Sequence, residues 1–286
     1  MAKYAKARIN RSRGGDVGIF IILLIFGVLM VLPMYYAIIT SVKPLNELWY
    51  FPPRFVVYNP TFKHYRDLFS TLSDSWVPFT RYIFNTLFIS VVGTLGHVVI
   101  SSMAAYALCK KRFYGSNFFL RLIVLSLMFS AAVTGIPTFM IMSSLKLMNS
   151  YWAIILPAFS STLGLYLMKQ FMEENVKDVI IEAAKIDGAG ESRIFWTIVM
   201  PMVKPGWLTL IVFSFQGLWN ATGGIYIQSE ELKSLNYAVG QIAASGLARA
   251  GVAAASLVFM MILPILVFLF SQSNIVETMS SSGIKE

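Results

Sequence analysis

The stretch "EAAKIDGAG", residues 182–190, interrupts a chain that is apolar for most of its length. One acid, Glu182, stands before two alanines, and two glycines, Gly188 and Gly190, close it. Val176, Val179, Ile180, Ala183 and Ile186 recur at spacings of three and four, which predicts a short helix with those residues along one face. Asp178, Glu182 and Lys185 then fall on the other side. Ala183 and Ala184 are strong helix formers with almost no bulk. Gly188 and Gly190 suit the left-handed turn that ends many helices. A second short apolar segment, Ile194–Met200, follows and stops at Pro201. The result is a helix–turn–helix too short to cross a bilayer, which takes about 20 residues of helix.

On either side the chain reads as membrane text. Of its 286 residues 57% are hydrophobic and 13% charged, about half the charge of a soluble domain. Six apolar runs are long enough to span: Val17–Val42, Tyr82–Cys109, Asn117–Met142, Tyr151–Met168, Pro205–Ser229 and Ala250–Val276. The cores of the last two are expected near 205–222 and 252–272. The first run is longer than a cleaved signal's apolar region and lacks a small-residue cleavage site, so it reads as a retained anchor. The expected organisation is a tail (1–16), a six-helix domain (17–276) and a second tail (277–286).

The net charge of +9 is explained by where the basic residues lie. With the N-terminus inside, fifteen of the 23 Lys and Arg fall on the inner side, and the positive-inside rule then places both termini in the cytoplasm. Lys3, Lys6, Arg8, Arg11 and Arg13 lead this set, with Lys110, Lys111 and Arg112 in the second loop. Nucleic-acid binding is not needed to account for the charge. The loop 169–204, which contains the opening stretch, becomes the longest cytoplasmic loop. The first loop, Lys43–Arg81, faces outward, with Trp49, Tyr50 and Phe51 expected at the membrane interface.

No Asp or Glu lies inside the six runs, although ion-coupled carriers usually need ionisable groups there. The chain also lacks a GxxxxGK[ST] phosphate loop, so another chain must supply any energy from ATP. Neutral polar groups at Asn85, Thr86, Ser90, Ser101, Ser102 and Thr134 read as helix packing. Gln216, Trp219 and Asn220 are the candidates for a polar pathway, in which an indole and two amides would suit a sugar. Cys109, His64 and His97 read as structural.

A soluble helix–turn–helix in a membrane protein can lie on the lipid surface, connect spans or fit a partner's groove. It lacks the basic face and bulky aromatics of a surface helix. Tiny residues beside one fixed charge favour a docking knob.

The pattern E-A-A-x3-G-x9-I-x-M-P closely resembles the EAA loop of permease subunits of binding-protein-dependent ABC importers. It is carried here by Glu182, Ala183, Ala184, Gly188, Ile198 and Pro201, with Met200 where leucine is usual. Asp187 and Ala189 complete the longer form EAAxxDGA. "TSVKP" (40–44), "PTFKHYRDLF" (60–69), "NTLFIS" (85–90), "AAYALCKKRFYG" (104–115), "WN" (219–220) and "GIK" (283–285) extend the resemblance to the smaller sugar-importer permeases of the maltose transporter type. Two positions depart from that pattern: Ala221, where an acid often follows "WN", and the final Glu286.

The resemblance implies an all-α polytopic membrane protein with the type I ABC importer permease fold, in a bacterial cytoplasmic membrane. It implies a second, usually non-identical permease, two ABC ATPase subunits beneath, and an extracytoplasmic solute-binding protein. It implies a carbohydrate substrate, an oligosaccharide or larger glycan fragment. Glu182–Ala189 and Pro201 would be the ATPase-coupling element, and Gly283 and Lys285 would contact the ATPases from the tail. The chain would be no enzyme and hold no cofactor, since ATP and magnesium belong to the ATPases. Two other classes stand against this reading. An ion-coupled carrier would transport alone, and a membrane-embedded enzyme would need a catalytic cluster that the sequence does not supply.

Overall fold

The computed structural model describes residues 13–73, 77–111, 113–246 and 249–282. Most of the N-terminal tail, Arg112, Gly283 and Lys285 lie outside them. Among the described residues every regular element is helical. The chain divides into two compact units: Met1–Leu68 with Ser245–Val258, and Phe69–Ala244 with Phe259–Glu286.

The first unit holds α1 (Arg13–Val42), α2 (Leu45–Leu48), the start of α3 (Lys63–Ser73) and the start of a long final helix. The apolar stretch of α1 buries none of its residues within the chain. A 30-residue helix this apolar is stable where lipid or another protein covers it. The loop after it is tightly tied. Glu47 accepts the backbone N–H groups of Tyr58 and Asn59 at 3.2 and 3.0 Å. Lys43, 2% exposed, donates to the Arg54 carbonyl. His64 is buried and bonds the Lys43 carbonyl through Nε2 at 2.7 Å, which is the structural place expected of it. Trp49, Tyr50 and Phe51 are all exposed.

The second unit is built around α4 (Phe79–Lys110), against which pack α7 (Trp152–Phe159), α8 (Thr162–Asn175) and α12 (Lys204–Trp219). α4 buries one polar stripe, including Asn85, Thr86, Ser90, His97 and Ser101. The close fit is set by missing side chains. A Cβ on Gly164 of α8 would lie 2.2 Å from Nε2 of His97. His97 Nδ1 is 3.0 Å from the Ser214 hydroxyl, so this histidine too is a packing residue.

The spans differ in detail from the apolar runs. Four helices are long and apolar enough to cross a membrane: 15–42, 79–110, 152–175 and 250–272. The expected third span, Asn117–Met142, divides into α5 (Ser116–Ser126) and α6 (Ala131–Ser144). Ser130 turns to extended backbone (φ −74°, ψ 155°) between them. Apolarity alone does not detect such a break, because the four residues around it contain neither glycine nor proline. The fifth span ends at Trp219, well before Ser229, and Gly223 and Gly224 take positive φ in the loop beyond it. α13 (Leu235–Ala244) follows that loop, and the described part of the last span belongs to α14 (Ala250–Ser282).

The segment after the opening stretch also departs from expectation. α9 (Asp178–Ile186) leads through Gly190 into α10 (Glu191–Arg193), a π-helical stretch (Ile194–Val199) and α11 (Met200–Met202). The helix therefore runs past Pro201, and the chain bends by 80° at Val203 into α12. An α-helix would set Ile194 and Val199 about 140° apart, whereas the wider π turn brings both to one side. Both are fully buried there, beside Phe195.

Candidate functional site

α9 carries the opening stretch, and its two faces have different fates. Ile181 and Ala184 point inward, 5% and 7% exposed, and join a core with Tyr106, Met172, Val176 and Phe195. Val179, Glu182, Ala183 and Ile186 point outward at spacings of three and four. Val179 is 72% exposed and Ile186 is 87% exposed. This corrects the expected single apolar face. Val176 is buried ahead of the helix, but Val179, Ile180, Ala183 and Ile186 are exposed, and Glu182 shares the face of Val179, Ala183 and Ile186. Period-three counting could not separate the two sides, because α9 carries apolar residues on both of them.

The C-terminal turn is as the glycine predicts. Gly188 has φ +79°, and its Cβ position faces open space. The Ala189 N–H donates to the Ala184 carbonyl at 2.9 Å and the Gly188 N–H to Lys185 at 3.0 Å, the paired bonds of a Schellman turn. Ala189 then packs on the same core as Ala184. Asp187 is exposed at the turn, and Pro201 is exposed on α11. Glu182, Ala183, Asp187 and Gly188 thus lie together on an outward knob, Ala184 and Ala189 anchor it, and Pro201 stands on the next element.

Residues far away in sequence hold this knob in place. Lys110, at the end of α4, donates to the Val176 carbonyl at 2.6 Å and to Asp178 at 2.8 Å. Glu191 accepts the Tyr106 hydroxyl at 2.9 Å and pairs with Lys111, and Lys185 lies 3.5 Å from it. Trp207 donates to the Met200 carbonyl at 3.0 Å across the bend. In the sequence Lys110 and Lys111 stand out only as inner-side charges and as part of the 104–115 stretch. Their acidic partners lie 68 or more positions onward, and no local pattern links them.

The three pathway candidates sit at the other end of α12 and separate. Trp219 is 3% exposed, stacked on Phe215 at 5.6 Å, and donates its indole N–H to the Met260 carbonyl at 2.9 Å. Pro264, four residues after Met260, has no N–H to give that carbonyl. Trp219 therefore repairs the gap in α14, and it is not the open indole platform expected from its neighbours. Gln216 is exposed beside a cavity of about 240 Å³ lined by Val212, Phe215, Pro264, Ile265, Val267 and Phe268. Asn220 is exposed and caps α12, donating to the Gln216 carbonyl at 2.9 Å. Trp219→Phe is expected to cost about 1–2 kcal/mol by stranding the Met260 carbonyl. In a Pro264→Ala background residue 264 supplies the missing N–H, and the cost should fall by about 1 kcal/mol. Thermal unfolding of the four proteins in detergent measures that coupling.

The same end of the unit carries a strap. Asn85, fully buried, donates to the carbonyls of Glu231 and Lys233 at 2.7 and 2.9 Å and accepts the Tyr151 hydroxyl at 2.7 Å. Thr86 accepts the Leu235 N–H at 2.6 Å. Tyr82 and Lys233 both bond the Glu230 carboxylate at 2.7 Å. Burial alone pushes the Glu230 carboxyl up. The bonds from Lys233 and Tyr82 outweigh it, and the net direction is below its ordinary value of 4.5. A carboxylate held low contributes stability above its unfolded pKa and loses it as pH falls. Protease sensitivity of residues 229–235 should therefore rise only below the ordinary value, and Tyr82→Phe should move that rise to higher pH.

Among the described residues no group of three or more His, Cys, Asp or Glu is placed to hold a metal ion. Cys109 is half-buried, with Sγ 3.6 Å from the Lys169 carbonyl.

Comparison with known proteins places this architecture. Residues 97–281 match the family described as "Binding-protein-dependent transport system inner membrane component". Protein LplC of Bacillus subtilis is 34% identical over 199 residues, covering 68% of this chain and 63% of LplC, so the match spans less than two thirds of that relative. The polygalacturonan/rhamnogalacturonan transport system permease protein YtcP of Bacillus subtilis is 32% identical over 73% of this chain and 71% of its own. The sn-glycerol-3-phosphate transport system permease protein UgpE of Yersinia enterocolitica is 30% identical over 74% and 75%. A chain from the crystal structure of a bacterial ABC transporter involved in import of the acidic polysaccharide alginate superposes with TM-score 0.78 at 23% identity, covering 92% of this chain and 98% of that one. The fold is that of a type I ABC importer permease. The chain belongs to the inner-membrane components of binding-protein-dependent transport systems, as a multi-pass permease subunit and not an enzyme.

Proposed function

We propose that this subunit forms half of a glycan-import channel and receives the work of ATP through α9. The observation that carries the reading is the outward face of α9. Val179, Ala183 and Ile186 surround Glu182 on a helix too short to span, fixed from behind and open in front. An exposed apolar surface with one central charge suits a partner's groove better than water. The partners are a second permease, two ATPase subunits that bind ATP and magnesium, and an extracytoplasmic solute-binding protein. In this reading six spans place both termini and the loop 169–204 in the cytoplasm, with α5 and α6 together making the third span and α12, entered through the 80° bend at Val203, the fifth. Gln216 and Asn220 remain candidates for touching solute, and Gly283 and Lys285 for reaching the ATPases.

The substrate class is an oligosaccharide or larger glycan fragment. YtcP, whose name specifies polygalacturonan and rhamnogalacturonan transport, supports it, while UgpE, whose name specifies glycerol phosphate, sets the competing small solute. Reconstitution with the partner subunits and binding protein tests the choice. Oligogalacturonides and neutral oligosaccharides are offered against sn-glycerol 3-phosphate, with ATP hydrolysis as readout. Stimulation by a glycan is expected, and stimulation by glycerol phosphate alone would overturn the substrate reading.

A further inference from the structure

A push on α9 must travel through the bundle to move the far side, and the bonds around α9 single out one helix. We infer that Glu191 and Lys110 are positioning residues that fasten the coupling loop to α4, making α4 the rod that carries motion from that loop to the 229–235 strap. This rests on the coupling role proposed for α9.

Three observations carry it. First, both ends of α9 are tied to the end of α4 by charged groups. Lys110, its side chain 8% exposed, grips Val176 and Asp178 at the start. Glu191 gathers Tyr106, Lys111 and Lys185 at the finish. Charge-assisted bonds of this kind are the stronger and more geometrically fixed ones. Second, the opposite end of α4 holds the strap through Tyr82, Asn85 and Thr86. Third, α4 alone among the described spans has neither proline nor break. Pro33, Pro137, Pro157 and Pro264 lie within α1, α6, α7 and α14, and α12 meets its preceding segment at 80°. Prolines and breaks are where helices bend. The 32 residues of α4 make one continuous element about 48 Å long. A displacement at Lys110 is passed on whole, where the other spans would absorb part of it.

The test uses the complete complex with its own ATPases and binding protein in nanodiscs, with Cys109→Ser in this chain. A spin label at Glu231→Cys reports the strap, whose bonds at that residue use only its carbonyl. A separate Ala183→Cys reports ATPase docking by cross-linking. In the parent chain the label spectrum should change between nucleotide-free and vanadate-trapped states. Lys110→Ala/Glu191→Ala should remove at least half of that change while the residue-183 cross-link persists. Glu191→Gln is the milder variant if the double one fails to assemble, and its effect should run the same way. The exchange Glu191→Lys/Lys111→Glu should restore the response, which a residue needed only for folding would not predict. A label that never responds, or that responds equally without the two ties, overturns the rod. Loss of the residue-183 cross-link in the parent chain instead refutes the coupling role of α9, and this proposal falls with it.

Discussion

Glu182→Lys should leave the subunit folded and the complex assembled, yet cut binding-protein-stimulated ATP hydrolysis and uptake by roughly 30-fold or more. The residue is exposed, and among the described residues its carboxylate takes part in no hydrogen bond or ion pair. Reversing a charge that pairs across an interface commonly costs about 2–5 kcal/mol, much of it from the stranded partner charge. Gly188→Arg should act in the same direction by a different route. Its φ of +79° strains any L residue, but the Cβ would meet nothing within 4 Å. The penalty to folding is then about 1–2 kcal/mol, and the larger effect is a long cation on the docking face. Ile186→Ala, at the edge of the same face, should weaken coupling less than either. Size-exclusion of the assembled complex separates these outcomes from simple loss of assembly. Normal stimulation together with normal uptake in Glu182→Lys contradicts the coupling role.

Asn85→Leu should be the most damaging conservative-volume change in α4, at about 2–4 kcal/mol, since a buried polar group left unpaired costs about 1–3 kcal/mol. The substitution removes two donors and one acceptor at once, strands the Lys233 carbonyl and the Tyr151 hydroxyl, and leaves the Glu231 carbonyl only its bond from Arg81. Thr86→Val removes a single acceptor, that of the Leu235 N–H, and should cost less than half as much. Thermal denaturation ranks the two, and proteolysis should locate the early cleavage in 229–235. Equal stability of Asn85→Leu and the parent would mean that the strap is held by something other than this side chain.

The sequence made some parts of this molecule legible because their signals are local. The six apolar runs each found helix, and the glycine at 188 found its left-handed turn, since φ > 0 is a demand that one residue type meets. The short helix of the opening stretch was legible from its spacing and small side chains. Other parts depend on contacts between distant residues. Nothing near Trp219 announces that Pro264 has freed a carbonyl 41 residues away from it, at Met260, so an indole beside two amides read as a sugar platform. Nothing near Lys111 announces Glu191. The break before α6 falls in a uniformly apolar stretch, where hydropathy has no contrast to report. The facing of α9 failed for a related reason: a short helix with apolar residues on both sides does not reveal by periodicity alone which side the rest of the chain covers.

That facing supplies the most direct test. Single cysteines at 181, 183, 184 and 186, in a Cys109→Ser chain assembled with its ATPase subunits, can be offered a short bifunctional cross-linker with and without ATP. Residues 183 and 186 should join this chain to an ATPase subunit, with yields that change on adding nucleotide. Residues 181 and 184, one or two positions away but turned into the core, should stay unreacted. Cross-linking at 181 and 184, or none at 183 and 186 in an assembled and active complex, would contradict the claim that α9 is the point at which this permease receives the energy of ATP.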